Sequence, residues 1–199
     1  MALSAVAFLT GGGPPGPPSI AQSGCTVTGT RADDVLRGTS GQDRLCGRGG
    51  GDVLIGRGGR DVLVGGEGDD RLVGGAAGDV LDGNRGADRL EGGTGNDALK
   101  RGSHDDRVIG GPGIDALGTG PGRDALIGGD DDDILIPGFD DDRLDGGAGT
   151  DSAWFIDSYG PVQASLTTAT GHGNDSLTGI EGLVGSGFDD GLYGDAGPN

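Results

Sequence analysis

The chain has 199 residues, 49 of them glycine, and only 32% are hydrophobic and 4% aromatic, too few apolar side chains for a thick globular core. Asp and Glu number 32 against 14 Lys and Arg, a formal charge of −18, which excludes nucleic acid as a partner and predicts a cation-free chain that repels itself and tends toward disorder. Glu67, Glu91 and Glu181 are the only glutamates; the other acids are aspartates, the acid suited to turns and to short-reach ligation.

Residues 1–24 read as a leader. An apolar run from Ala2 to Leu9 is followed by a Gly/Pro stretch and then by Ser19, Ile20 and Ala21. The small residues fit a signal-peptide cleavage site, but the first basic residue is Arg31, so the positive start of a signal peptide is missing. The expectation is a weak or truncated signal peptide, with a disordered leader as the alternative. Gln22 stands where an aliphatic residue would precede a lipid-anchored Cys25, and the apolar run is too short for a transmembrane segment. Cys25 and Cys46 are the only cysteines. They lack zinc-ligand spacing. The expected reading is one disulfide closing the N-terminal edge in an oxidising compartment; two separate thiols are the alternative.

From Gly29 to Trp154 the chain divides into fourteen nine-residue units without an insertion, as in GGEGDDRLV from Gly65 and GGTGNDALK from Gly92. The sixth position is always aspartate: Asp34, Asp43, Asp52, Asp61, Asp70, Asp79, Asp88, Asp97, Asp106, Asp115, Asp124, Asp133, Asp142 and Asp151. The eighth is leucine except at Val108 and Ala153. Positions one to six predict a turn that needs unusual backbone angles. Positions seven to nine predict a three-residue strand with one side chain facing inward. No 3.6-residue apolar period occurs, so helices are not expected.

So short a strand must stack on copies of itself. If each turn reverses the chain, two units make an 18-residue coil, and successive units alternate between two edges of a flattened solenoid. Gly-Gly pairs open the units at 74, 92, 110, 128 and 146, which are 18 residues apart, whereas on the other edge only the unit at 65 opens that way. The two edges are therefore not equivalent.

Stacked strands lie about 4.8 Å apart, so the sixth-position carboxylates form columns. Each neighbouring pair repels by about 0.8 kcal/mol in bulk water and by about 3 kcal/mol at an effective dielectric near 20. Along two columns this rivals the stability of an ordinary domain, on the order of 10 kcal/mol. Asn or Ser would shape the turn without that repulsion, so the charge itself is wanted and a divalent ion is implied. Oxygen ligands without His or Cys suit Ca²⁺, which tolerates flexible coordination, better than Mg²⁺.

Some units depart from the pattern. That at 101 reads RGSHDD, that at 137 reads PGFDDD, and that at 29 reads GTRADD at the array edge. The run Asp130–Asp133 is either an extra-acidic site or a solvated loop using Asp133 alone. Residues 155–199 form an irregular terminal coil or cap in which two degenerate units return, TGHGNDSLT with Asp175 and GSGFDDGLY with Asp190. Trp154, Phe155, Ile156 and Tyr159 are expected to plug the open end of the solenoid, with an exposed carbohydrate-stacking platform as the alternative.

The repeated pattern G-G-x-G-x-D-x-U-x, over residues 29–154 and again near the end, resembles the hemolysin-type calcium-binding (RTX) family. The resemblance implies an all-β fold, a right-handed parallel β-roll with two sheets and 18 residues per coil. It implies multiple Ca²⁺ ions as cofactors, each between two turns of one edge and held by an Asp from each and by turn carbonyls, with Asp97 paired to Asp115 and Asp115 to Asp133. Two columns of seven turns offer at most twelve gaps, and nine ions would cancel the formal charge of −18. The expected function is calcium binding with calcium-dependent folding of a secreted or surface-exposed protein. The alternative is a non-catalytic accessory fragment, an adhesin spacer or the C-terminal module of a larger secreted enzyme. A cell-surface or polysaccharide partner fits either reading. No enzyme activity is expected: neither HExxH nor GxSxG occurs, and His104 and His172 sit in turns without a nucleophile at recognisable spacing.

Overall fold

In a computed structural model, which describes residues 24–171 and 173–194, the chain winds into about seven stacked coils. Most of the leader and His172 lie outside the described residues. The described residues form twenty strands and no helix, so none has a helix long and apolar enough to cross a membrane.

One sheet holds β1 (Val27–Thr28), β3 (Arg44–Gly49), β5 (Val62–Glu67), β7 (Val80–Arg85), β9 (Ala98–Ser103), β11 (Ala116–Gly118), β13 (Ile134–Ile136), β15 (Ser152–Trp154) and β19 (Gly182–Val184), in that order. The second holds β2 (Val35–Arg37), β4 (Val53–Gly58), β6 (Arg71–Ala76), β8 (Arg89–Thr94), β10 (Arg107–Pro112), β12 (Ala125–Asp130), β14 (Arg143–Ala148) and β18 (Asn174–Thr178). It continues through β17 (Thr168–Thr170), β16 (Gln163–Ser165) and β20 (Gly191–Tyr193). Along the array each strand pairs in parallel with the strand 18 residues on, as in Leu54↔Leu72 and Leu63↔Leu81. This is the β-solenoid with 18-residue coils that the repeat implied.

The eighth-position side chains of both sheets meet between them. Leu36, Leu45, Leu54, Leu63, Leu72 and Leu81 are fully buried, and the ladder runs on through Leu144. Burying one such leucine contributes roughly 2 kcal/mol, so the core is a one-residue-wide seam repeated coil after coil.

Two expectations need correction. Most strands along the array are six residues long, because the ladder crosses the corner into positions one to three of the next unit, as in Gly75↔Gly93. Backbone pairing needs no side chain, so glycine does not interrupt it. The terminal plug also differs. Phe155 is buried, but Ile156 is 46% and Tyr159 84% exposed. Here the β16–β17 hairpin is inserted, β17 running antiparallel to β18 while β16 pairs in parallel with β20. It lengthens the pairing interval to 33 residues at Arg143↔Ser176 and 30 at Ser152↔Gly182. Phe155, Val162, Ala164, Ala169 and Ile180 close the seam, while Tyr159 stacks outside on Phe139 with ring centroids 5.2 Å apart.

Cys25 and Cys46 form a disulfide, Cα atoms 6.1 Å apart, tying the chain entering β1 to the next coil.

Candidate metal centre

Each turn ends on its aspartate, and the next residue begins a strand. The strand ladder therefore fixes the aspartate backbone: the carbonyl of Asp79 accepts from the amide of Ala98, and that of Asp97 from Ala116. The side chain reaches across the gap between coils. On the first edge the amide of Asp34 donates to Oδ1 of Asp52 at 2.8 Å, and the pattern descends through Asp70, Asp88, Asp106 and Asp124 to Asp142. On the second edge it runs from Asp43 through Asp61, Asp79, Asp97, Asp115 and Asp133 to Asp151. All fourteen sixth-position aspartates thus stand in two columns, and all but Asp43 are buried.

Below Asp34 and Asp43, which head the columns, one oxygen of each carboxylate is satisfied this way; the other is the telling one. Oδ2 of Asp52, Asp61, Asp70, Asp79, Asp88 and Asp97 is buried without a hydrogen-bond partner, as is Oδ2 of Asp115, Asp124, Asp133, Asp142 and Asp151. A buried polar atom left unpaired is costly. Each of these oxygens in the regular turns lies against the first-position glycine of its own turn, beside a carbonyl of the next coil. A Cβ at Gly74 would stand 2.5 Å from both Asp79 Oδ2 and the Gly92 carbonyl oxygen. Acceptor therefore faces acceptor, with no donor between them. A proton or a metal cation resolves that arrangement, and oxygen-only surroundings suit a hard divalent ion.

Electrostatics agree. Burial pushes the carboxyls of Asp52, Asp70, Asp106 and Asp115 up to about 7, and their column neighbours push the same way against the amide hydrogen bonds. Asp142, between Asp124 and Asp175, rises to about 8 for the same first cause, burial. The carboxylates are held where their charge is least tolerated without a counter-ion. Among the described residues no three His, Cys, Asp or Glu side chains converge into a cluster; the oxygens beside the column carboxylates are backbone carbonyls, such as those of Gly92 and Gly128.

The columns end differently from their interiors. Below Asp142 the hairpin breaks the spacing, yet Asp175 takes the next place, its Oδ1 accepting from the Asp142 amide at 3.0 Å. Below Asp151 that place belongs to Glu181, whose Oε2 accepts from the Asp151 amide at 2.9 Å. Sequence reasoning missed Glu181, because no nine-residue count reaches it. Asp190 faces no carboxylate: its Oδ1 accepts from the Val162 amide at 2.8 Å, and that bond, aided by Ser186, holds its carboxyl below the usual range.

Three terminal turns give their carboxylates protein donors, although Oδ1 of Asp34 stays buried without one. Thr30 gives its amide (2.5 Å) and hydroxyl (2.9 Å) to Asp34 Oδ2, and Thr39 does the same for Asp43 at 2.6 and 2.8 Å. Ser186 donates its amide to Asp190 Oδ2 and its hydroxyl to Oδ1. Outside the columns, fifth-position side chains form a second ladder: Asp33, Asp69, Asp105, Asp132 and Asp141 each accept the amide one coil on. Within the run Asp130–Asp133, Asp132 thus holds the Thr150 amide while Asp133 stands in the column. His104 is exposed, its Nδ1 3.2 Å from Ser103 Oγ.

No curated protein matches the chain. A family model described as the RTX calcium-binding nonapeptide repeat (4 copies) matches residues 26–54, 47–81, 64–99, 82–117 and 118–153, well over half of the chain and the whole run of stacked turns. The chain belongs to the RTX calcium-binding nonapeptide repeat family.

Proposed function

We propose that the protein is an extracellular calcium-binding module whose array folds as calcium loads it, and that it acts by binding rather than by catalysis. The observation that carries this reading is the file of buried, unpartnered Oδ2 atoms facing glycine carbonyls. The sixth-position aspartates and the turn carbonyls would hold the ions, with Asp175 and Glu181 as the lower members of the two columns. Bound calcium supplies positive charge and cross-links adjacent coils. The chain's own part is to present paired oxygens on a rigid ladder. Because the oxygens come together only when coils stack, binding free energy becomes folding free energy. Extracellular calcium modules bind at about 10⁻⁴–10⁻³ M, so such an array would stay open in a low-calcium cytoplasm and close outside. The Cys25–Cys46 disulfide supports an oxidising destination.

Calorimetric titration tests this reading. Calcium chloride should give a saturable heat with several ions per chain. Magnesium chloride should give far less, because it demands tighter geometry and sheds water reluctantly. Absence of a saturable calcium signal would count against the proposal.

A further inference from the structure

The turns of the two edges are not built alike. In nine turns the first residue is glycine and the second lies in the left-handed region, from Arg48 (φ 93°) and Arg57 (φ 86°) to Gly129 (φ 133°) and Gly147 (φ 105°). In all nine the aspartate Oδ2 is buried and unpartnered, as it also is at Asp124 and Asp142, so the nine are set apart by the first-position glycine and the left-handed residue after it. On the second edge the first-position residue is glycine in all seven turns, from Gly38 to Gly146 at intervals of 18. On the first edge the glycines stop at Gly83. Arg101, Thr119 and Pro137 occupy the next three places, and the residues after them, Gly102, Gly120 and Gly138, are not left-handed.

That first position is where a Cβ meets both oxygens. At Gly110 it would overlap Asp115 Oδ2 and the Gly128 carbonyl. Thr119 and Pro137 put a side chain at that position, and in the turn of Asp106 it is a Cβ at Gly102 that would meet the carboxylate. Thr119 shows the consequence: it is 1% exposed, its side chain buried where the nine turns have only glycine. At the fifth position of the turn that begins at Thr119, Arg123 supplies a fixed positive charge 3.5 Å from Asp105.

Resting on the calcium reading above, we infer that the ion sites are lopsided. They run the length of the second edge from Asp61 to Asp151 but stop at Asp88 on the first, so that Asp106, Asp124 and Asp142 form a calcium-poor stretch. Gaps with such turns on both sides number five on the second edge and two on the first. The closed turns of Asp34 and Asp43 bound both files above.

The test is the number of calcium ions carried by the full chain, counted by native mass spectrometry at saturating calcium. Asp115→Asn should remove two ions, one from each gap it borders, while Asp124→Asn removes none. The triple variant Arg101→Gly, Thr119→Gly, Pro137→Gly should gain ions, an outcome that misfolding cannot mimic. Equal losses from Asp115→Asn and Asp124→Asn, or no gain in the triple variant, would overturn the lopsided distribution while leaving calcium binding intact. A wild-type chain carrying no calcium would remove both.

Discussion

At the scale of single residues, the decisive atom is the second carboxylate oxygen. Oδ1 of Asp115 is spoken for by the Asp97 amide, so the ladder would form equally well on asparagine. Oδ2 is what asparagine lacks, and its replacement by an NH₂ group would put a donor opposite the Gly128 carbonyl. Asp115→Asn is therefore predicted to raise the stability of the calcium-free chain by about 1 kcal/mol while weakening its response to calcium; denaturant titrations with and without chelator measure both. Protons should act in the same direction. Folded-state values near 7 for Asp52, Asp70 and Asp115 lie above the unfolded 3.8, so the folded form binds more protons between those limits. Metal-free stability then falls as pH rises from about 4 to about 7, and is largest at the acidic end. In calcium-free buffer, circular dichroism should show more β-structure at pH 5 than at pH 8. An increase in β-structure with pH would contradict the assignment of these carboxyls to the buried columns.

At the scale of turns and strands, glycine marks the places where coils touch. Gly110→Ala should cost about 1–3 kcal/mol through overpacking, since the added carbon meets Asp115 Oδ2 and the Gly128 carbonyl. Ala77, at φ 77° in a position that most turns give to glycine, is the reverse case. Ala77→Gly should stabilise the calcium-loaded chain by about 1 kcal/mol in thermal or chemical melts. Much of this level was legible in the amino-acid order. The leucine seam, the aspartate columns and the 18-residue coil each repeat one local constraint many times, so register alone exposes them. The strand lengths were misjudged because glycine at positions one to three suggests a turn, whereas pairing there depends only on backbone. Glu181 was hidden by the hairpin, which adds a non-repeating interval before the second column resumes. Thr30 and Thr39 carry no signal in the repeat pattern, because their role lies in the hydroxyls they place on Asp34 and Asp43.

At the scale of the whole molecule, a chain of formal charge −18 folds around two files of buried carboxylates with a core one residue wide. Such a shape gains little from burial per coil and depends on what links coil to coil. The N-terminal end has its own links: hydroxyl donors in place of ions, and the disulfide between Cys25 and Cys46. Cys46→Ser should lower the stability of the calcium-loaded protein by about 3 kcal/mol, read from urea midpoints under oxidising conditions. The interior turns lack such hydroxyl donors on Oδ2, so under the proposed function divalent cations decide whether the array stacks. The most direct measurement is far-UV circular dichroism of the full chain at neutral pH, first in chelator and then in millimolar calcium. The account predicts a largely disordered spectrum that converts to β-structure on calcium addition and reverts when chelator is restored. The same β-rich spectrum in both conditions would contradict it.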